Sequence, residues 1–414
     1  MSLLKKISIE ANQEIKPDVV SEKLDYELIL DLGFMPFVNN LEDTYESSIN
    51  CEKFPISVVY FKDSKLIRIK EIPDTTKLFD KYLYVSGVSN PFKIHCSNLY
   101  DYLINKSYLK NNYKVLDIGG NDGTLLCEFR NRNKTLDLMN IEPSTIYKKS
   151  INNGINTLNH YFNSETINLL DKSPNLIITT NVFQHLYNIK EFAQNITNLL
   201  DDQGFWCLEF PYFLETMKTF QFDQIYHEHI YYYNVYPLFK LFKQVGLRII
   251  EVSEQSIHGG SLRLIISKES NYYESDDSVD YFLRKESKID FEFYKKWVED
   301  LEKHLSYCKS QIEILAKDKT LYGFGAAAKG CVFLNFLKID SSIVKYIIDD
   351  TDIKQNKFIP GAGIRVISRE RVDYKKVDFI IILAHNFYEH IVDSLRSDGY
   401  KNKFIICFPE FKII

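Results

Sequence analysis

Two strand–glycine–helix turns, about two hundred residues apart, constrain this chain more than any other feature. The apolar run "YKVLDIGG" reaches Asp117, passes through Gly119, Gly120, Asn121, Asp122 and Gly123, and enters the helical pattern "TLLCEFRNR". "LYGFGAAAKG" repeats the grammar, with Gly323, Gly325 and Gly330 around small alanines. A short β-rich run, a glycine turn and a helix open a parallel α/β unit. Two such openings predict two units, and 414 residues are ample for both.

The remaining chain fits that frame. Residues 96–275 alternate strand and helix: "LDLMNIEPS", "PNLIITTNVF" and "GFWCLEFPY" read as further strands. "PLFKLFKQVGLRIIEV" reads as helix, glycine stop and strand, and "GGSLRLIISK" as a last strand. Residues 276–316 read as a long helical connector, with Phe293, Trp297, Leu301, Leu305, Cys308, Ile312 and Leu315 on one face. Residues 317–414 resume the α/β rhythm. Residues 1–95 read as a small, irregular N-terminal cap with strand-like pieces "FPISVVYF" and "KLIRIKEI".

Composition narrows the partners. A net charge of −5, with lysine and arginine scattered, gives no basic field for nucleic acid or membrane. No stretch approaches the ~18 apolar residues of a membrane span. Seven dispersed cysteines without a C-x-x-C, and a start lacking an apolar signal core, predict reduced thiols in a cytoplasmic protein.

The first loop is spaced D-x-G-x-x-x-G, unlike the dinucleotide G-x-G-x-x-G. The next strand runs into Glu142, placed where an acidic side chain takes both ribose hydroxyls. Adenosine without a pyrophosphate points to S-adenosyl-L-methionine as cofactor. The second loop, with Ala328, Lys329 and, after the next strand, Asp349, suits a diphosphate at a helix N-terminus. A nicotinamide cofactor there, or a plain packing turn, stays open.

"FDQIYHEHIYYY" is the third feature. In an extended segment His227 and His229 share one face, as metal ligands would, but no third ligand is evident, and we expect no metal. Ordinary hydrogen-bonded histidines are the bland alternative. The segment follows the strand before the last crossover helix. That puts it beyond the carboxyl end of the sheet, where such folds bind ligands. A histidine there titrates near neutral pH and suits a general base.

Together, "VLDIGGNDGTLL", "IEPS", "TTNVFQHL", "EFPYF", "FDQIYHEHIYYYN", "IHGGSLR", "LYGFGAAAKG", "IDDTDIKQNKFIPGAGIRV" and "FPEF" resemble, in order, the nucleotide-sugar C-methyltransferases, from about residue 25 onward. The resemblance implies a class I methyltransferase Rossmann-like domain, a second C-terminal Rossmann-like domain and a nucleotide-diphosphate keto-deoxysugar substrate. It implies His229 as the base, Glu228 and Tyr226 as its support, and His185 against the substrate. Asn181 would join the donor site, and Tyr84 and Ser86 of the cap would face the same cleft. The family's cap normally binds zinc through paired cysteines. Here "LDLGFMPFVNN" resembles its L-G-x-x-P-x-x-N turn, but Tyr60 and Asp63 stand about where a C-x-x-C would fall, so apolar packing must replace the metal. The rival readings are an NAD(P)-dependent nucleotide-sugar oxidoreductase or epimerase, and a non-catalytic nucleotide-sugar-binding protein. A monomer or weak oligomer is expected.

Overall fold

The structure is a computed structural model, and it describes residues 15–73, 86–88, 90–170 and 173–414. Tyr84 lies outside the described residues. Strand Lys114–Ile118 is buried along nearly its whole length, and Leu176–Thr180 and Phe205–Pro211 beside it are buried likewise. That burial is why these strands read as continuous apolar runs: helices cover both faces of a parallel sheet. The seven-stranded sheet is ordered Leu247–Gln255, Ser261–Lys268, Phe205–Pro211, Leu176–Thr180, Lys114–Ile118, Asp137–Ile141, Asn156–Leu158. Ser261–Lys268 is antiparallel to both its neighbours, and the other adjacent strands pair in parallel. This is the class I methyltransferase order expected from the motifs. The order reverses between Lys114–Ile118 and Leu176–Thr180, so the crevice opens beside the first glycine loop.

The C-terminal sheet is ordered Arg365–Ile367, Val344–Ile348, Leu321–Phe324, Phe379–Ile382, Lys403–Ile406, Lys412–Ile413, with only the last pair antiparallel. Its reversal lies between Leu321–Phe324 and Phe379–Ile382, beside the second glycine loop.

The cap is more regular than the sequence indicated. Tyr26–Pro36, Lys53–Phe61 and Ile67–Ile69 form an antiparallel sheet, and Tyr231–Tyr232 adds its fourth strand. That last strand immediately follows Y-H-E-H, so the cap and the motif are fixed to each other by backbone pairing. Ile56, Val58, Leu66, Ile67 and Ile69 are fully buried and belong to the same core as the methyltransferase sheet. Apolar packing thus joins the cap to the methyltransferase unit.

The connector is two helices, Asp277–Ser287 and Phe291–Ala316, because Asp290 caps the second one through Phe293 N–H. One position on its predicted face is corrected. Phe293 is exposed, and its neighbour Tyr294 is fully buried, in phase with Trp297, Leu301, Leu305, Cys308 and Ile312. Two adjacent aromatics both fit a loose apolar pattern; only the 3.6-residue period selects between them. The connector also shapes the site. Glu286 accepts the free N–H groups of Val235 and Tyr236 at the start of helix Val235–Gln244, and Trp297 Nε1 donates to Met217 O.

Candidate active site

The first loop is built so that only glycine fits. Gly119 has φ +72°, and a Cβ there would sit 2.6 Å from Val182 Cγ2. A Cβ on Gly120 would sit 2.4 Å from Asp117 Oδ2. Asn121 and Gly123 also take left-handed φ, and Gly123 N–H donates to Gly120 O to close the turn. Asp117 is buried, and neither of its carboxylate oxygens has a partner among the described residues. Burial, then the charge of Glu142, pushes its carboxyl up to about 8. A buried carboxylate without a cation, beside a glycine-lined loop, fits a positively charged ligand. Glu142 accepts Asn121 N–H at 2.9 Å and Ser144 N–H at 2.8 Å, which aims its carboxylate along the loop. The cap closes over this loop: Ser86 N–H donates to Asn121 Oδ1, and Gly87 N–H to Asp122 Oδ2. Ser86 therefore lies against the first glycine loop. Asn181, at φ +56°, donates its N–H to Glu209 O at the end of the adjacent strand.

Y-H-E-H is a turn, which corrects the extended reading. His229 N–H donates to Tyr226 O at 2.9 Å, so residues 226 and 229 come together and 227 and 228 occupy the corner. The alternation argument fails because it presumes strand geometry. His227 faces the cap instead, edge-on to Phe37 and Phe54, with Nε2 donating to Phe54 O at 3.3 Å. Burial pushes it down to about 4, and it stays neutral.

His229 is held at both nitrogens. A carbonyl only accepts, so the 2.8 Å contact with Gln224 O places the proton on Nδ1. Nε2 then carries the lone pair, and it accepts the Tyr226 hydroxyl at 2.8 Å. The two rings are tilted with centroids 4.1 Å apart. His185, in the turn after strand Leu176–Thr180, donates from Nδ1 to Glu228 O at 2.6 Å. Its ring meets His229 edge-on at 4.9 Å, and burial pushes its pKa down to about 4. Val182, which packs on Gly119, and His185 stand three residues apart, so the first glycine loop and the His185–His229 pair share one end of the sheet. Glu228 is buried at the cap boundary, where Asn39 Nδ2 donates to Oε1 at 2.6 Å; burial pushes its carboxyl up to about 7. Asn39 and Gln224 were not singled out as site residues from the sequence. Asn39 is the last residue of the L-G-x-x-P-x-x-N turn, which was its signal; Gln224 acts through its backbone and had none. Among the described residues, no group of three or more His, Cys, Asp or Glu is assembled for a metal.

The second loop is equally tight. Gly325 has φ +98°, and its Cβ would sit 2.9 Å from Ala384 Cβ; one on Gly323 would be 2.5 Å from Ile347 Cδ1, and one on Gly330 would be 3.0 Å from Leu383 Cβ. Asp349 pins the loop by accepting Ala326 N–H at 2.7 Å and Thr351 N–H at 2.9 Å. Ala327, Ala328 and Lys329, at the start of helix Ala328–Leu337, are half-buried. The Lys329 ammonium turns toward the methyltransferase unit and donates to Gln221 Oε1 at 3.2 Å.

Two family models match the chain: a methyltransferase domain at residues 92–252 and a C-methyltransferase C-terminal domain at residues 256–409. The second match takes in the last methyltransferase strand and the connector as well as the C-terminal unit. The C-methyltransferase NovU of Streptomyces niveus is 26% identical over 402 residues, covering 94% of each chain. Among solved structures, an S-adenosylmethionine-dependent methyltransferase of Clostridium acetobutylicum covers 41% of this chain and 90% of its own, at 11% identity and a TM-score of 0.33. The magnesium protoporphyrin IX methyltransferase of Synechocystis covers 42% and 79%, at 13% identity and a TM-score of 0.32. The fold assignment rests on the strand order. With both domain models matched and a relative alike over nearly its whole length, the chain is similar to the C-methyltransferases throughout and is a methyl-transferring enzyme.

Proposed function

We propose that this enzyme methylates a ring carbon next to the ketone of a nucleotide-diphosphate keto-deoxysugar, with S-adenosyl-L-methionine as donor. The donor, when bound, supplies an electrophilic methyl group. Asp117 would set a negative charge against the donor's cationic end, with Gly119 and Gly120 allowing close approach and Glu142, Asn121, Asp122 and Asn181 around the adenosine. A carbon acid beside a ketone needs a base before it can attack. His229, with Nδ1–H held by the Gln224 carbonyl, presents Nε2 as its basic nitrogen toward the Tyr226 hydroxyl. The proton would leave the sugar carbon into this Tyr226–His229 pair, and the electron pair left behind would delocalise onto the ketone oxygen as an enolate. A neutral His185 beside the pair would contact the substrate without adding a repelling charge. Glu228 would support the sugar or the turn from the cap side.

The diphosphate would bind at the start of helix Ala328–Leu337, through backbone N–H groups of Ala328 and Lys329, with Gly323 and Gly325 giving access and Asp349 fixing the loop. Ser86 would line the cap side of the cleft. The observation that carries the reading is the locked tautomer of His229 beside the donor loop. It is tested by following deuterium uptake from solvent at the carbon next to the ketone of nucleotide-linked 4-keto-hexoses. Exchange that requires His229 supports the reading; exchange unchanged in His229→Ala refutes it.

A further inference from the structure

Among the described residues, a polar cluster lies between the two α/β units, and it takes in the side chain of Lys329, whose backbone was assigned above to the diphosphate. Asp223 and Gln221 come from the methyltransferase unit, just before Y-H-E-H. Lys329 and His385 come from the C-terminal unit, at its sheet reversal. Asp223 Oδ2 lies 3.4 Å from His385 Nδ1, and Lys329 Nζ donates to Gln221 Oε1 at 3.2 Å. Asp223 and His385 are 1% and 5% exposed. Asp223 Oδ1 and His385 Nε2 have no partner among the described residues. Burial pushes the Asp223 carboxyl up to about 7 and the Lys329 ammonium down to about 8, each opposed by the charge of the other. Taking charges out of water is costly, and such groups are weak evidence for stability alone. Their use must be sought in what they hold in place.

They hold the turn that carries the base. Gln221 Oε1, which accepts the hydrogen bond from Lys329 Nζ, also accepts one from Gln224 Nε2 at 3.1 Å. Gln224 O accepts His229 Nδ1–H, and His229 Nε2 accepts the Tyr226 hydroxyl. A continuous path of contacts therefore runs from the C-terminal unit to the basic nitrogen. Gly259 makes the closure possible: at φ +86°, a Cβ there would sit 2.5 Å from Gln221 Oε1 and 2.7 Å from Asn386 Oδ1.

We propose that Lys329 and His385 are positioning residues for methyl transfer: reaching across from the C-terminal unit to Gln221 and Asp223, they set the Phe222–Gln224 turn whose carbonyl fixes the His229 tautomer. The C-terminal unit thus completes the catalytic arrangement as well as receiving substrate. The inference rests on His229 being the base.

The test is the full-length Lys329→Met enzyme. It is assayed with S-adenosyl-L-methionine and a thymidine-diphosphate 4-keto-deoxyhexose, alongside ¹⁵N imidazole NMR of His229. We expect kcat to fall about ten- to a hundredfold, since small misplacements of catalytic groups cost that much. Both KM values stay within about threefold of wild type, and His229 loses its single Nδ1–H tautomer. Lys329→Arg should recover most of kcat. A raised acceptor KM with kcat unchanged would make the Lys329 side chain a phosphate ligand and overturn the proposal. Wild-type kcat with a wild-type tautomer would also overturn it. If Lys329→Met does not fold, His385→Gln is judged by the same readouts. A wild-type enzyme inactive on every keto-sugar would refute the proposed substrate, while the tautomer measurement would still decide this inference.

Discussion

Glu228→Gln separates the chemistry of the site from its stability. Glu228 is buried behind the cap, with one hydrogen bond from Asn39 to Oε1, and its carboxyl is pushed up from an ordinary 4.5 to about 7. That gap is worth about 3 kcal/mol at ~1.4 kcal/mol per pH unit. The folded value lies above the unfolded one. The stabilising contribution of the protonated form is therefore complete below pH 4.5 and is lost as pH rises through about 7. Glutamine keeps the acceptor for Asn39 and cannot ionise. The variant should therefore match wild type within about 1 kcal/mol at pH 5, and exceed it by about 2–3 kcal/mol at pH 8.5. Urea unfolding at both pH values measures the difference, with fluorescence of Trp206 and Trp297 reporting on the sheet and the connector. An equal offset at the two pH values, or a less stable variant at pH 8.5, would refute the burial argument.

Donor binding should strengthen as pH rises toward 8, because the cation-binding form of Asp117 is the ionised one and its free carboxyl titrates at about 8. Titration of S-adenosylhomocysteine in buffers of different ionisation enthalpy should show proton release in the wild type and none in Asp117→Asn. Gly119→Ala forces a side chain into φ +72° against Val182, costs about 1–2 kcal/mol in backbone strain alone, and should weaken the same titration at least about tenfold. Asn39→Ala leaves Glu228 without its described donor and should cost about 1–3 kcal/mol, more at pH 8.5 than at pH 5, in the same unfolding assay. His229→Ala should retain donor binding and lose methyl transfer, read by binding and product formation on one preparation.

Much of the fold was legible because its signals are local. "TLLCEFRNR" matches helix Thr124–Arg132 residue for residue, and the glycine turns announce themselves by spacing, although the contacts that enforce them, such as Gly119 against Val182 and Gly325 against Ala384, are distant in sequence. The class I fold was implied by the family resemblance, and the parallel sheet by apolar runs such as Leu176–Thr180 and Phe205–Pro211, which are buried along nearly their whole length. What escaped was non-local. The cap sheet depends on Tyr231–Tyr232, some 160 residues beyond its other strands, and no periodicity in residues 1–95 announces that partner. Y-H-E-H was read as extended because its aromatics resemble a strand, whereas the turn depends on Gln224, His185 and the cap packing around His227. The Asp223–His385 contact joins residues 162 positions apart, and only the docking of the two α/β units brings them together.

The central claim is that the methyl group goes to carbon, on a sugar, at a position acidified by a neighbouring ketone. The direct measurement is incubation with ¹³C-methyl-labelled S-adenosyl-L-methionine and a panel of nucleotide-linked 4-keto-hexoses, followed by NMR of the product. The account predicts a labelled methyl bonded to the ring carbon next to the ketone, with one proton lost from that carbon and no label transferred by His229→Ala. Label on an oxygen or nitrogen, or transfer to carbon that persists in His229→Ala, would contradict it.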